Sequence, residues 1–131
     1  KAAEQGHAIA QCNLGWCYKN GDGVQNDPAT SAQWFEKAAE QGYPLAQFNF
    51  GVCYQNGWGV QKDLATAAQW YEKSAEQGDA DAQFNVGRCY QNGWGVQKDL
   101  SAAAHWYEKA AEQGDAAAQC NLGVCCKNGW G

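Results

Sequence analysis

The chain has 131 residues, of which 45% are hydrophobic, and its 14 acidic and 9 basic residues give a formal net charge of −5. This length suits one domain, and no apolar run reaches the roughly 18 residues that a membrane-spanning helix needs. Because phosphate backbones and anionic lipids attract Lys and Arg, the acidic balance argues against nucleic acid, and no membrane insertion is expected.

A 36-residue period organises the sequence. Residues 55–78 read QNGWGVQKDLATAAQWYEKSAEQG, and residues 91–114 repeat this string with four changes. Such self-similarity predicts an array of one small supersecondary unit within a single repeat domain, 1–131. We place full repeats at 7–42, 43–78 and 79–114, the end of a preceding second helix at 1–6, and a partial repeat with its first helix alone at 115–131.

Each repeat is predicted to hold two helices, A and B. In the second repeat Ala46, Phe50, Cys53 and Tyr54 stand at i, i+4, i+7 and i+8, which predicts helix A over about 44–55. Asn-Gly at its end suits a left-handed cap. A loop follows, and Asp63 is expected to cap helix B.

Equivalent Asp and Gly residues place helix B at about 28–40, 64–76 and 100–112, with Gly42, Gly78 and Gly114 as terminators. Helices of about 13 residues are marginal alone, so the hairpins must stack on one another. Glycine inside helix A, at 15, 51 and 87, predicts a close approach beneath a bulky ring, with Trp34, Trp70 and Trp106 as the candidates.

The repeated residues resemble the Sel-one-like repeat (SLR), a relative of the tetratricopeptide repeat with a longer loop between its helices. The resemblance covers essentially the whole chain, and in the second repeat it is carried by Ala46, Gly51, Tyr54, Gly57, Gly59, Val60, Asp63, Ala67, Trp70, Tyr71, Lys73, Ala75, Gln77 and Gly78. It implies an all-α fold, a right-handed α/α superhelical solenoid of helix-turn-helix repeats. It also implies binding of proteins or peptides on the inner surface, commonly as an adaptor.

Four of the seven cysteines, at 17, 53, 89 and 125, share one repeat position on the core stripe of helix A. Packed helices lie about 8–10 Å apart, beyond the roughly 7 Å Cα limit for a disulfide, so we expect reduced thiols and a slight preference for the cytoplasm. A cysteine-rich branch of the SLR family bridges helix A to helix B, but Ala39, Ala75 and Ala111 occupy that segment here. We predict no cofactor and no metal, with Cys120, Cys125 and Cys126 as the one alternative metal set.

Catalysis has little support in the sequence. Ser31, Ser74 and Ser101 have no histidine at a matching repeat position, and His7 and His105 are isolated. We therefore predict that the chain is not an enzyme. The alternative is β-lactam-binding or hydrolase-like activity, as in cysteine-rich relatives of the family.

One face of helix A remains for binding, because helix B covers the other side. A rotation of about 100° per residue brings the candidates together on a concave surface: Asn13, Trp16, Leu45, Phe48, Asn49, Val52, Phe84, Asn85, Arg88, Asn92, Asn121 and Val124. Cys12 occupies the position of Phe48 in the first repeat. Asparagine recurs at 13, 49, 85 and 121 and either pairs with a bound peptide or bonds to neighbouring repeats.

The function predicted from these features is a scaffold or adaptor for a protein or an extended peptide. The loop tryptophans Trp58, Trp94 and Trp130 either pack under their loops or expose an aromatic edge to a second partner. A structural spacer or assembly unit is the other alternative. End-to-end self-association would then cover the open face of the last helix A.

Overall fold

The computed structural model describes residues 2–129, except for the side chains of residues 2–5, 125, 126 and 128. Residues 2–129 hold no strand and seven helices: α1 (Ala2–Asn20), α2 (Pro28–Glu40), α3 (Pro44–Asn56), α4 (Leu64–Glu76), α5 (Ala80–Asn92), α6 (Leu100–Glu112) and α7 (Ala116–Asn128). The three predicted spans of helix B are confirmed. None of these seven helices combines the length and the hydropathy that crossing a bilayer requires.

The predicted caps set the ends of the helices. Asp63 accepts hydrogen bonds from the backbone N–H groups of Ala65 and Thr66 at 3.1 and 3.3 Å. Asp27 and Asp99 cap α2 and α6 in the same way. Helix α3 ends at Asn56 and is capped by Gly57, whose φ of 70° is the left-handed conformation expected there.

The start of the chain differs from the prediction. Residues 1–6 were expected to form the end of a preceding helix B, but α1 runs without a break from Ala2 to Asn20. Gly6 lacks the positive φ of its equivalents Gly42 (88°) and Gly78 (98°). The residues after each glycine explain the difference. Pro44 comes two positions after Gly42 and starts α3, and Asp79 directly follows Gly78 and caps α5. His7 and Ala8 supply neither signal.

Consecutive helices pack against each other along the whole array. Helices α1 and α2, α3 and α4, and α5 and α6 form hairpins, and each helix B also packs on the helix A that follows it. Buried residues from neighbouring hairpins form three successive clusters, centred on Phe35, Tyr71 and Tyr107. The arrangement is an all-α solenoid, as the repeat pattern predicts.

The close approach at the helix-A glycines is confirmed, but the expected ring was wrong. An added Cβ would lie 2.8 Å from the ring of Tyr71 at Gly51, and 2.6 Å from that of Tyr107 at Gly87. Phe35 takes this place above Gly15. The tryptophan one residue earlier is rotated by about 100° around helix B, so it lies half-buried beside a lysine of its own helix.

A glutamine network that the sequence pattern did not predict ties three helices together. Gln47 on α3 donates to the Ala39 carbonyl of α2 at 3.3 Å and accepts from Gln77, just after α4, at 2.7 Å. Gln83 makes the same pair of bonds one repeat later. Recurrence of Gln at 47, 83 and 119 was the available signal, although periodicity alone does not show what a buried amide bonds to.

Candidate functional site

The helix-A face is the side of α1, α3, α5 and α7 that carries the twelve predicted binding residues. Two of its three aliphatic side chains are open to solvent: Leu45 is 41% exposed and Val124 is 45% exposed. Ile9, one repeat before Leu45, is 43% exposed. Val52 is half-buried, while Asn92 at the end of α5 is exposed. The face therefore offers apolar surface on a helical framework.

Three half-buried rings are anchored on this face by a ring of helix B beneath them. Phe48 lies 5.5 Å from Tyr71, and Phe84 lies 5.7 Å from Tyr107, between ring centres. In the first repeat Trp16 meets Phe35 edge-on at 5.9 Å. Such pairs fix the orientation of the outer ring, so the exposed part of each ring is held ready for contact.

The asparagine row is not a uniform ladder of accessible amides. Asn49 is only 5% exposed, and its amide points at the Cys12 sulfur, 3.7 Å away. Cys12 is itself buried and does not line the accessible face. Asn85 is half-buried and donates to the Asp81 carbonyl of its own helix at 2.8 Å.

The size of the neighbouring side chain explains the difference between Asn49 and Asn85. Cys12 is small and leaves room for the Asn49 amide, whereas the bulky Phe48 holds the equivalent position beside Asn85. The Asn49 amide therefore contacts a neighbouring repeat, which is the second of the two roles predicted for the asparagine row. Asn13 is exposed and Asn121 is half-buried, so these two remain open to a ligand.

Two half-buried cations lie over aromatic rings at the loop end of the face. The Arg88 guanidinium is 5.1 Å from the Trp94 ring and 5.8 Å from the Phe84 ring. The Lys19 ammonium is 5.1 Å from Trp16 and 6.0 Å from Trp58. Distances of this size are those of cation–π contacts.

The loop tryptophans Trp58 and Trp94 pack against the core of the preceding repeat, which favours the first of their two predicted alternatives. The Trp58 indole N–H is buried without a hydrogen-bond partner. Gly59 lets this loop close on the start of α2, because a Cβ there would lie 2.1 Å from the Pro28 carbonyl oxygen. Trp130 lies outside the described residues.

The cysteines that the structure describes are free thiols, as expected. Burial raises the pKa of Cys53 and of Cys89 to about 11, so both stay protonated near neutral pH. Protonated, buried thiols are poor nucleophiles and poor metal ligands. The alternative metal site at Cys120, Cys125 and Cys126 lies partly outside the described residues, because the side chains of Cys125 and Cys126 are not described.

The serines considered for hydrolysis serve the packing of the hairpins. Ser31 and Ser74 are both 0% exposed. Their hydroxyls donate to the carbonyl oxygens of Gly15 and Pro44 at 2.7 and 2.8 Å. A nucleophile must reach its substrate beside a positioned base, and these two buried hydroxyls do not meet that requirement.

Comparison with solved structures finds close likenesses over almost the whole chain. A Sel1 repeat protein from Oxalobacter formigenes is 40% identical with a TM-score of 0.91, over 95% of this chain and 51% of that one. The protein c5321, a protective antigen of uropathogenic Escherichia coli strains that displays an SLR fold, is 44% identical with a TM-score of 0.93, over 99% of this chain and 28% of that one. Helicobacter pylori cysteine rich protein B is 31% identical with a TM-score of 0.74, over 93% and 92%.

The chain thus spans about half of the Oxalobacter protein and a smaller share of the Escherichia coli antigen. Comparison with curated proteins gives no match. The family model described as Sel1 repeat matches residues 8–43, 44–79, 80–115 and 116–131, one residue later than the boundaries we placed from sequence. On these matches and on the helical array described above, the chain belongs to the Sel1 repeat family.

Proposed function

We propose that this chain is a non-enzymatic scaffold that binds a protein or an extended peptide on the helix-A face. Sel1 repeat proteins are generally protein-interaction scaffolds, which supports the class of function. The contact residues we assign are the exposed aliphatic Leu45 and Val124, with the anchored rings of Trp16, Phe48 and Phe84. Asn13, Val52, Asn85, Arg88, Asn92 and Asn121 complete the surface, and Asn49 supports it from below.

The observation that carries the proposal is where the repeats differ. Along helix A, the positions of Ala46, Gln47, Asn49, Gly51 and Cys53 hold the same residue in all four repeats. Between the equivalents of residues 9 and 17, the apolar position of Leu14 varies among Leu, Phe and Val, and three others vary more widely in size or charge: Ile9 becomes Leu, Asp and Ala; Cys12 becomes Phe, Phe and Cys; and Trp16 becomes Val, Arg and Val. These three stand at i, i+3 and i+7, so they share one face.

The contrast with helix B supports the same surface. The outward side of α2 carries exposed Glu36, Lys37 and Glu40, and α4 and α6 follow the same charged pattern. Such a side is a normal solvated surface. The helix-A face has few charges and several apolar groups, which is the composition of an interface core.

Two matched substitutions test the proposal. Leu45→Glu places a carboxylate on the helix-A face, and Val24→Glu places one in the first interhelical loop, where Val24 is 36% exposed. The probe is a library of random 12-residue peptides fused through their C-termini to a phage coat protein and selected on the wild-type chain. Recovered peptides should lose binding to Leu45→Glu and keep it for Val24→Glu, with helicity unchanged in both.

Equal binding to both variants would place the contact elsewhere on the molecule, and recovery of no binding peptide would also count against the proposal. Hydrolysis of a chromogenic β-lactam by the purified chain that is lost in Ser101→Ala would contradict the non-enzymatic part separately. The two measurements use the same protein preparation. They therefore separate a misplaced surface from a wrong class of function.

A further inference from the structure

We propose that Lys19 and Arg88 are two carboxylate-binding points on the helix-A face, and that its partner is an extended peptide segment with two acidic side chains. The inference rests on the proposed function and names the partner's chemistry. Both cations lie at the loop end of the face, two repeats apart. Each is held over two rings, Lys19 by Trp16 and Trp58, and Arg88 by Phe84 and Trp94.

These cations differ from the other ring-stacked lysines. Lys37, Lys73 and Lys109 are exposed, and each lies over one tryptophan of its own helix. Lys19 and Arg88 are half-buried. Among the described side chains neither pairs with a carboxylate. A positioned, partly desolvated cation without a counterion is a group that an anionic ligand can satisfy.

Arg88 is the stronger of the two points. A guanidinium that stacks on aromatic rings leaves its N–H edges free to meet a carboxylate with two parallel hydrogen bonds. Its orientation is already fixed by Trp94 and Phe84, so little side-chain freedom is lost on binding. Lys19 presents a compact point charge instead, and we expect it to contribute less.

The spacing of the two points selects side-chain carboxylates over a chain terminus. Helix α1 contacts α3, and packed helices lie about 8–10 Å apart, so two repeat steps span roughly 20 Å. An extended peptide advances about 3.3 Å per residue, so about six residues separate its two anionic groups. A peptide has one C-terminal carboxylate, whereas two Asp or Glu residues reach both points. The residues between them would lie along Phe48 and Val52.

The test uses the same displayed 12-residue library, whose fused C-termini offer no free terminal carboxylate. Peptides whose binding depends on Leu45 should be enriched in pairs of acidic residues about five to seven positions apart. Synthetic copies with free and with amidated C-termini should bind alike. Replacing the acidic residue nearest Arg88 by its amide should weaken binding to the wild type about tenfold, the usual effect of a charge-assisted hydrogen bond.

Substitutions in the protein complete a double-mutant cycle. Arg88→Gln should weaken binding about tenfold and remove the preference for the acidic peptide over its amide version. The affinity of Arg88→Lys should lie between those of the wild type and Arg88→Gln, and Lys19→Gln should weaken binding several-fold. Lys109→Gln removes a ring-stacked lysine on helix B and is the matched control, so its affinity should equal that of the wild type. A merely structural Arg88 would weaken both peptides equally.

Two results would overturn this inference while the proposed function stands. One is the recovery of Leu45-dependent peptides without acidic residues. The other is an undiminished preference for the acidic peptide in Arg88→Gln. Selection of no peptide that depends on Leu45 would overturn the proposed function and this inference together.

Discussion

Replacement of Gly51 by alanine tests the contact that sets the distance between helices A and B. A Cβ at this position would lie 2.8 Å from two carbons of the Tyr71 ring and 3.2 Å from the Ala67 carbonyl oxygen. Tyr71 is 2% exposed, its hydroxyl donates to Gln55, and the Phe48 ring lies over it. The ring therefore has no free space into which it can tilt.

The expected magnitude follows from two opposing effects. Forcing a methyl group into a packed core costs about 1–3 kcal/mol, while alanine in place of glycine inside a helix contributes about 0.5–1 kcal/mol of stability. Because the contact is only 2.8 Å, we expect the first effect in the upper part of its range, about 2–3 kcal/mol, so the net change at Gly51 is a loss of about 1–2.5 kcal/mol. Gly123 holds the same repeat position on α7, but nothing lies within 4 Å of a Cβ there. Gly123→Ala should thus gain about 0.5–1 kcal/mol.

Thermal unfolding followed by far-ultraviolet circular dichroism measures both changes. For a chain of this length 1 kcal/mol shifts the midpoint by about 4 °C. Gly51→Ala should therefore melt about 4–10 °C below the wild type, and Gly123→Ala about 2–4 °C above it. If Gly51→Ala melts at or above the wild-type temperature, the ring can move aside and the rigid contact is refuted.

The glutamine network, the buried thiols and the helix caps can each be perturbed by one substitution or one reagent. Gln47→Ala removes two hydrogen bonds and leaves the Ala39 carbonyl without its side-chain donor, so it should lower the free energy of unfolding in urea by about 1–3 kcal/mol. Gln119→Ala is the control and should lower it by less, because the Gln119 amide is exposed. Cys53 should resist a thiol reagent at pH 8 until the chain is unfolded, because burial raises its pKa to about 11. The exposed Cys120 should react at once, and prompt labelling of Cys53 would contradict the prediction. Hydrogen bonds from Thr66 lower the pKa of Asp63 in the folded chain. The stability that this cap contributes is therefore present above the unfolded pKa of about 4 and is lost as pH falls through the folded pKa. In Asp63→Asn the urea midpoint should fall less steeply on acidification than it does in the wild type.

The helix boundaries were predictable because chemically distinctive residues stand at both ends. In each repeat a capping aspartate begins helix B and a glycine follows its end, which gave 28–40, 64–76 and 100–112 without adjustment. The same logic failed at Gly6, where no proline or capping residue follows. A glycine permits a turn, but the next residue decides whether the helix stops.

The partner of a buried group was not predictable from period alone. Trp70 and Tyr71 are adjacent aromatic residues whose side chains point about 100° apart around the helix. The sequence does not fix how helix B is rotated against helix A, so it does not show which of the two rings lies over Gly51. The asparagine row shows a second limit. Asn49 and Asn85 are equivalent in sequence, yet the neighbour across the repeat is small in one case and bulky in the other.

The residues that hold this solenoid together are distinct from those of the proposed binding face, and that separation would allow one repeat to serve different partners. The groups that hold the array together, such as Gly51 under Tyr71 and the Gln47 amide between three helices, are satisfied within the molecule. The position of Leu45 is exposed and carries Asp81 one repeat later, so a change there leaves the packing intact. Because each helix A adds one such position at a fixed spacing, the order of the repeats would set the order of chemical groups that a peptide bound as proposed has to match.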